Sequence, residues 1–157
     1  MTTPATLAYS VDNCTVGRTI AILGERSTLL VIREVLTGIR RFEDMRVRTA
    51  IPRQVLADRL RLLVEHGILR KEPYQPPGQR ARHEYHPTDK GLALYPVVVA
   101  MAQWGDRYLA DPEGPPLQFE HRDCGAKVDV TLDCAHGHEV SDPRQVIPQP
   151  GPGAHLR

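Results

Sequence analysis

The sequence predicts a mainly α-helical domain with a small β-wing, an α+β chain. Three observations carry this expectation: successive segments with apolar residues at helical spacing, two short strand-like runs around a Pro-Pro-Gly tip, and one long apolar helix after them. The first helix, Thr15 to Leu23, places Val16, Ile20 and Leu23 at helical spacing and stops at Gly24. Asn13 reads as its cap, which would put Cys14 in the first turn. The second helix runs from about Ser27 to Thr37, with Leu29, Ile32 and Leu36 on one face and Gly38 behind them. After the turn at residues 38–41, a very short third helix covers roughly Phe42 to Arg48.

The fourth helix starts near Pro52 and stops at Gly67, with Leu56, Leu60 and Leu63 as its buried stripe. Turning 100° per residue away from that stripe puts Gln54, Asp58 and Arg61 on the opposite face, with Arg53 at the N-terminal end. Leu69 to Tyr74 and His83 to Pro87 read as strands joined through the tip Pro76-Pro77-Gly78-Gln79. Two helices, a tight turn and a hairpin form the winged helix-turn-helix order. Thr88 caps a last helix extending to about Leu109, in which Pro96 is expected to make a kink. Leu92, Tyr95, Val99 and Ala102 form one stripe, which Val98, Met101 and Trp104 broaden. So wide an apolar arc predicts a homodimer interface, shared with the first helix.

Charge points to the partner. Between Arg40 and Arg82 there are eleven Lys and Arg against five Asp and Glu, a surplus of six in a chain whose net charge is only +1. Positive charge gathered around one short helix suits a polyanion, and double-stranded DNA is the simplest one. The recognition-helix candidates are Arg53, Gln54, Ala57, Asp58 and Arg61. Arg53 and Gln54 are assigned to base edges, because residues at the start of a recognition helix reach deepest and can pair bidentately with guanine or adenine. Arg40, Arg41, Arg46, Arg80 and Arg82 are assigned to the phosphate backbone and wing. Asp58 either accepts from cytosine or pairs with Arg61 to orient it. The alternative use of the same fold is a protein-interaction module without sequence-specific DNA binding.

Other classes fit poorly. The chain has no phosphate loop, no Gly-x-Ser-x-Gly elbow and no zinc-deaminase pattern, so an enzyme is not expected. It has no 18-residue apolar run and no secretory leader pattern, so a cytoplasmic location is expected, with no membrane partner. Cys14, Cys124 and Cys134 are too few and too scattered for a disulfide scaffold. Composition divides the chain into an N-terminal arm (1–13), the DNA-binding and dimerisation domain (14–111), a small hairpin tail (117–147) and a Pro/Gly-rich C-terminus (148–157) expected to be disordered.

Several runs resemble the HxlR-type winged helix-turn-helix regulators: Cys14, then Leu23-Gly24, then residues 28–36, then Gly38-Ile39-Arg40-Arg41-Phe42. Val55-Leu56-Ala57-Asp58-Arg59-Leu60, His66-Gly67-Ile68-Leu69, Glu84-Tyr85 and Thr88-Asp89-Lys90-Gly91 extend the likeness to about Leu109. The chain departs from it at Arg26-Ser27, where many members carry Lys-Trp. The resemblance implies a bacterial, cytosolic homodimer that represses or activates transcription, with a small-molecule effector left unspecified. It also makes Cys14 a candidate oxidant or electrophile sensor. Locally, a helix N-terminus and Arg18 at i+4 both favour a reactive sulfur there. Members that pair this cysteine with a second have a partner near the recognition helix, and none exists here. Cys14 would therefore pair with its symmetry mate or with a small thiol.

In the tail, His121-x2-Cys124-Gly125 and Cys134-x-His136-x-His138 flank a run, Ala126 to Asp133, expected to form a strand. Paired thiolates and imidazoles at both ends suit a structural zinc held by His121, Cys124, Cys134 and His138, or by His136 in place of His138. This resembles a zinc ribbon whose second knuckle has Gly137 where a cysteine is usual. A metal-free hairpin is the competing reading.

Overall fold

The computed structural model describes residues 9–156. The first eight residues of the predicted N-terminal arm lie outside the described residues. Six helices and a two-stranded antiparallel sheet follow in the order α1 (Thr15–Leu23), α2 (Arg26–Leu36), α3 (Phe42–Thr49), α4 (Arg53–Glu65), β1 (Leu69–Tyr74), β2 (Arg82–Pro87), α5 (Asp89–Leu92) and α6 (Tyr95–Tyr108). One core serves the first half. Val31, Ile32 and Val35 of α2 meet Met45 of α3, Leu56, Leu60 and Leu63 of α4, and Ile68 and Leu69 at the start of the wing. α2 and α4 each bury one apolar stripe and α3 adds Met45, so the three helices pack around one core.

Local chemistry ends the elements where the chain must turn. Gly38 and Gly67 adopt φ of +98° and +65° after α2 and α4. In each case the next amide reaches back over the helix end, Ile39 N–H to the Glu34 carbonyl and Ile68 N–H to the Leu63 carbonyl, both at 2.9 Å. Glycine reaches this left-handed conformation without a Cβ penalty. The wing pairs Leu69 with Pro87 through Tyr74 with Arg82, and Tyr85 N–H donates to the Arg40 carbonyl at 2.9 Å, fastening the sheet to the start of α3.

Four details correct the sequence reading. Cys14 itself caps α1, its sulfur accepting from Gly17 N–H at 3.5 Å, while Asn13 donates its side-chain amide to the Gly153 carbonyl at 2.6 Å. The long last helix is two: α5 ends at Leu92, and Pro96 sits in the first turn of α6. A first-turn proline forfeits no helical bond, so it starts a new helix rather than kinking an old one. Ala126 to Asp133 is not a strand. The tail instead makes two tight turns, each closed by one bridge, Glu120 to Lys127 and Asp133 to Glu139, before a 3-10 turn at Pro143–Gln145. The described C-terminus is not free: Ser10 N–H donates to the His155 carbonyl and Tyr9 bridges Leu156.

Candidate nucleic-acid interface

The site is built on α3, the turn at residues 50–52, and α4. Met45 anchors α3 in the core with no exposed surface, and Leu56, Leu60 and Leu63 anchor α4, which leaves Arg53, Gln54 and Arg61 exposed on its outer face. Pro52 caps α4, so Arg53 is its first residue and the unpaired amides of the first turn present positive potential beside it. Between the helices Ala50 adopts φ +53°. A left-handed residue lets the chain reverse in so few steps, although alanine is strained there.

The structure gives most of the predicted arginines an internal partner. Glu43, in the first turn of α3, pairs with Arg46 at 2.8 Å and also with Arg53. The Arg53 guanidinium also lies 5.2 Å from the centre of the Phe42 ring. Glu43 therefore spans both helices of the motif. The guanidinium hydrogen bonds, that of Arg46 foremost, hold its carboxyl below the usual carboxylate range. Asp58 accepts from Gln54 at 3.1 Å and from Arg61 at 3.0 Å, so of the two roles open to Asp58 the structure contains the orienting one. Ala57 is half-buried.

Predicted backbone contacts divide into two groups. Arg40 donates to the Val35 carbonyl at 2.8 Å, and Arg41 pairs with Glu84 at 2.9 Å while stacking on Tyr74 at 4.6 Å. These two brace the wing against α2 and α3. Arg80 and Arg82 flank the wing tip and stay exposed. Like Lys71 on β1, they form no ion pair among the described residues.

Sequence reading missed Glu43 and Glu34. Glu43 was signalled by an acid in the first turn of a helix with Arg three residues on. Glu34 has a fully buried side chain that pairs with Arg33 and with Arg48 of α3, joining α2 to the helix-turn-helix. Burial alone would raise its carboxyl, but hydrogen bonds from Arg48 and Arg33 outweigh that and hold it low. A glutamate on a helix otherwise rich in Leu, Val and Ile gives no local sign of burial.

Elsewhere, Cys14 is exposed at the start of α1, as are Cys124 and Cys134 in the tail. The proposed zinc ligands form two pairs. Cys124 Sγ lies 3.3 Å from His121 Nδ1, and Cys134 Sγ lies 3.5 Å from His138 Nδ1. Among the described residues, no three His, Cys, Asp or Glu side chains converge as a metal group, so the four are not brought to one point and His136 joins neither pair. Each turn closes on its own main-chain bonds, Gly125 N–H to the His121 carbonyl and Gly137 N–H to the Cys134 carbonyl, both at 2.8 Å. The tail docks on α6 through Gln103, which accepts from Val130 N–H at 3.0 Å and donates to Asp129 at 2.8 Å. Among the described residues no helix is long and apolar enough to cross a membrane.

Comparison with known proteins agrees with this geometry. Residues 22–113 match the HxlR-like helix-turn-helix family model. An uncharacterized HTH-type transcriptional regulator of Mycobacterium tuberculosis is 43% identical over 147 residues, covering 94% of this chain and 92% of that protein. The crystal structure of PA1607, a proposed transcription factor, superposes with a TM-score of 0.75 at 29% identity, covering 88% of this chain and 96% of that one. The redox regulator HypR in its reduced form gives a TM-score of 0.52 at 28% identity, over 59% of this chain and 90% of that one.

Proposed function

Because this chain belongs to the HxlR-like helix-turn-helix family of transcriptional regulators, we propose that it acts as a homodimeric repressor that binds palindromic operators. The observation that carries the reading is the outer face of α4, where Arg53, Gln54 and Arg61 stand exposed and are held by Glu43 and Asp58. Side chains held in place before binding lose less freedom when they meet base edges.

Two apolar stripes support the dimer. On α1, Val16 and Ile20 are 64% and 60% exposed; on α6, Val97, Met101, Trp104 and Tyr108 share one outward side. Large exposed apolar stripes on two helices suit burial against a second copy. A two-fold axis between them would present two α4 helices to successive major grooves, about 34 Å apart.

Response to oxidants at Cys14 belongs to the same reading. Its support is an exposed sulfur at a helix N-terminus and a structural likeness to HypR. Oxidation would join Cys14 to its symmetry mate or to a small thiol, the oxidant taking the two electrons.

Selection of bound duplexes from a random pool, followed by affinity measurement over a salt series, tests the proposal. A palindromic consensus whose binding weakens steeply with salt is the expected result. Weak, sequence-blind association would instead favour a protein-interaction module.

A further inference from the structure

A cavity of roughly 1030 Å³ lies between α2, α6 and the start of the tail. Its walls are largely apolar, with Leu29 and Leu30 on one side and Val98, Ala102 and Phe119 on the other. Three arginines (Arg26, Arg33 and Arg48) and two acids (Glu34 and Asp106) also line the space. An apolar cleft of this size with a few convergent polar groups has the form of a small-molecule site.

Two features mark the space as more than a packing gap. Val98, Ala102, Gly105 and Leu109 line it from α6, each one position on from the exposed residues Val97, Met101, Trp104 and Tyr108, and Met101 lines it as well. The cavity therefore adjoins the face assigned to a second copy and shares Met101 with it, while most of its lining lies on the neighbouring side of α6. Gly105 sits inside α6, where glycine weakens a helix, yet a Cβ built on it meets nothing within 4 Å. No close contact demands a glycine there; its missing side chain leaves the cavity open.

The lining arginines have donors to spare. Glu34 uses Nε and Nη2 of Arg33 and Nε of Arg48. A guanidinium carries five N–H groups, so Nη1 of Arg33 and both Nη atoms of Arg48 can still donate. Arg26 forms no ion pair among the described residues; the acid before it, Glu25, is engaged with Arg59.

We propose that this cavity binds an amphipathic organic acid. Its apolar body lies between α2 and α6, and its carboxylate is received by Arg26 with the spare N–H groups of Arg33 and Arg48. Arg48 lies in the last turn of α3, just before the left-handed Ala50, and its pairing with Glu34 ties α3 to α2. A bound carboxylate on the Nη groups competes with Glu34 for the charge of the same guanidinium, which weakens this tie and lowers DNA affinity. That second step rests on the operator-binding reading; ligand binding itself does not.

Calorimetric titration of the full chain without DNA tests the site, using 2-naphthoate and octanoate against their neutral amides. At least one acid should bind once per chain and at least about tenfold more tightly than its amide, the loss expected when a charge-assisted pair is removed. Gly105→Leu, which fills the cavity from a position that favours the helix, should keep the melting temperature and weaken the acid at least about tenfold. Arg26→Gln and Arg48→Gln should erase the preference for acid over amide. The proposal is overturned if no probe binds, if amides match acids, or if Gly105→Leu binds like wild type. It is also overturned if Gly105→Leu shifts dimer to monomer in light scattering, since the cavity would then belong to a second copy. In wild type, the bound acid should lower operator affinity several-fold; unchanged affinity overturns the coupling. Ligand binding without any selectable operator would count against the DNA-binding reading alone.

Discussion

Glu43 of α3 reaches across the helix-turn-helix turn and pairs with Arg53, the first residue of α4. The arginine assigned to base reading is therefore aimed by a carboxylate on the neighbouring helix and by the Phe42 ring. Arg53→Ala is expected to lose about 1–3 kcal/mol of operator affinity and relax preference at one position of each half-site. Glu43→Gln should relax the same position while leaving the melting temperature nearly unchanged, because the pair is solvent-exposed. Competition with operator variants checks both, and a Glu43→Gln protein with unaltered base preference would remove the aiming role.

The wing cations should behave differently. Arg80 and Arg82 stand exposed beside the tip, whereas Arg41 is occupied by Glu84 and Tyr74. Arg82→Ala should weaken binding to all duplexes alike and reduce the slope of log affinity against log salt by about one. Arg53→Ala and Arg82→Ala showing the same profile would dissolve the division into base and phosphate contacts.

Glu34 is expected to matter for stability. Its side chain is fully buried, and Glu34→Gln leaves two guanidinium groups short of their carboxylate, although both arginines are partly in water. A loss of about 2 kcal/mol follows, below the range for a pair buried at both ends. The pH dependence has a definite sign. The folded-state value lies below the ordinary 4.5. The contribution is thus complete above the unfolded value and disappears as pH falls toward the lower folded one. Urea unfolding from pH 6 to pH 3 should show an acid limb that is steeper in wild type than in Glu34→Gln.

Ala50 is the only non-glycine residue with positive φ among the described residues, and it is exposed. Ala50→Gly removes the Cβ strain, partly offset by the greater freedom of glycine in the unfolded chain, and should stabilise by about 0.5–1 kcal/mol. Operator affinity should stay the same, because the turn geometry is kept. A destabilised variant in chemical denaturation would show that the turn carries no strain.

Cys14→Ser separates sensing from packing. If Cys14 is the sensor, diamide or peroxide lowers the operator affinity of wild type and leaves Cys14→Ser untouched. Equal responses would move the sensor elsewhere. The substitution keeps a side-chain acceptor for Gly17 N–H, so α1 retains its cap.

What the sequence determined by itself is what short-range periodicity encodes. The stripe Leu56, Leu60 and Leu63, the stops at Gly38 and Gly67, the Thr88 cap and the wing strands were all legible, because each depends on residues within a few positions. Thr88 shows the limit of such reading. Its hydroxyl accepts from Gly91 N–H, as a cap must, but it also donates to the Gly67 carbonyl, 21 positions away.

Tertiary structure decided the rest. Whether Glu34 is solvated or buried, and whether α6 packs on α2 or leaves a cavity, depend on groups arriving from other elements. The break before α6 was missed for a related reason. Leu92, Tyr95 and Val99 keep helical spacing across it, which hides that Pro96 sits in the first turn of a new helix. Periodicity records which side of a segment is apolar; it carries no record of which partner meets that side, or how closely.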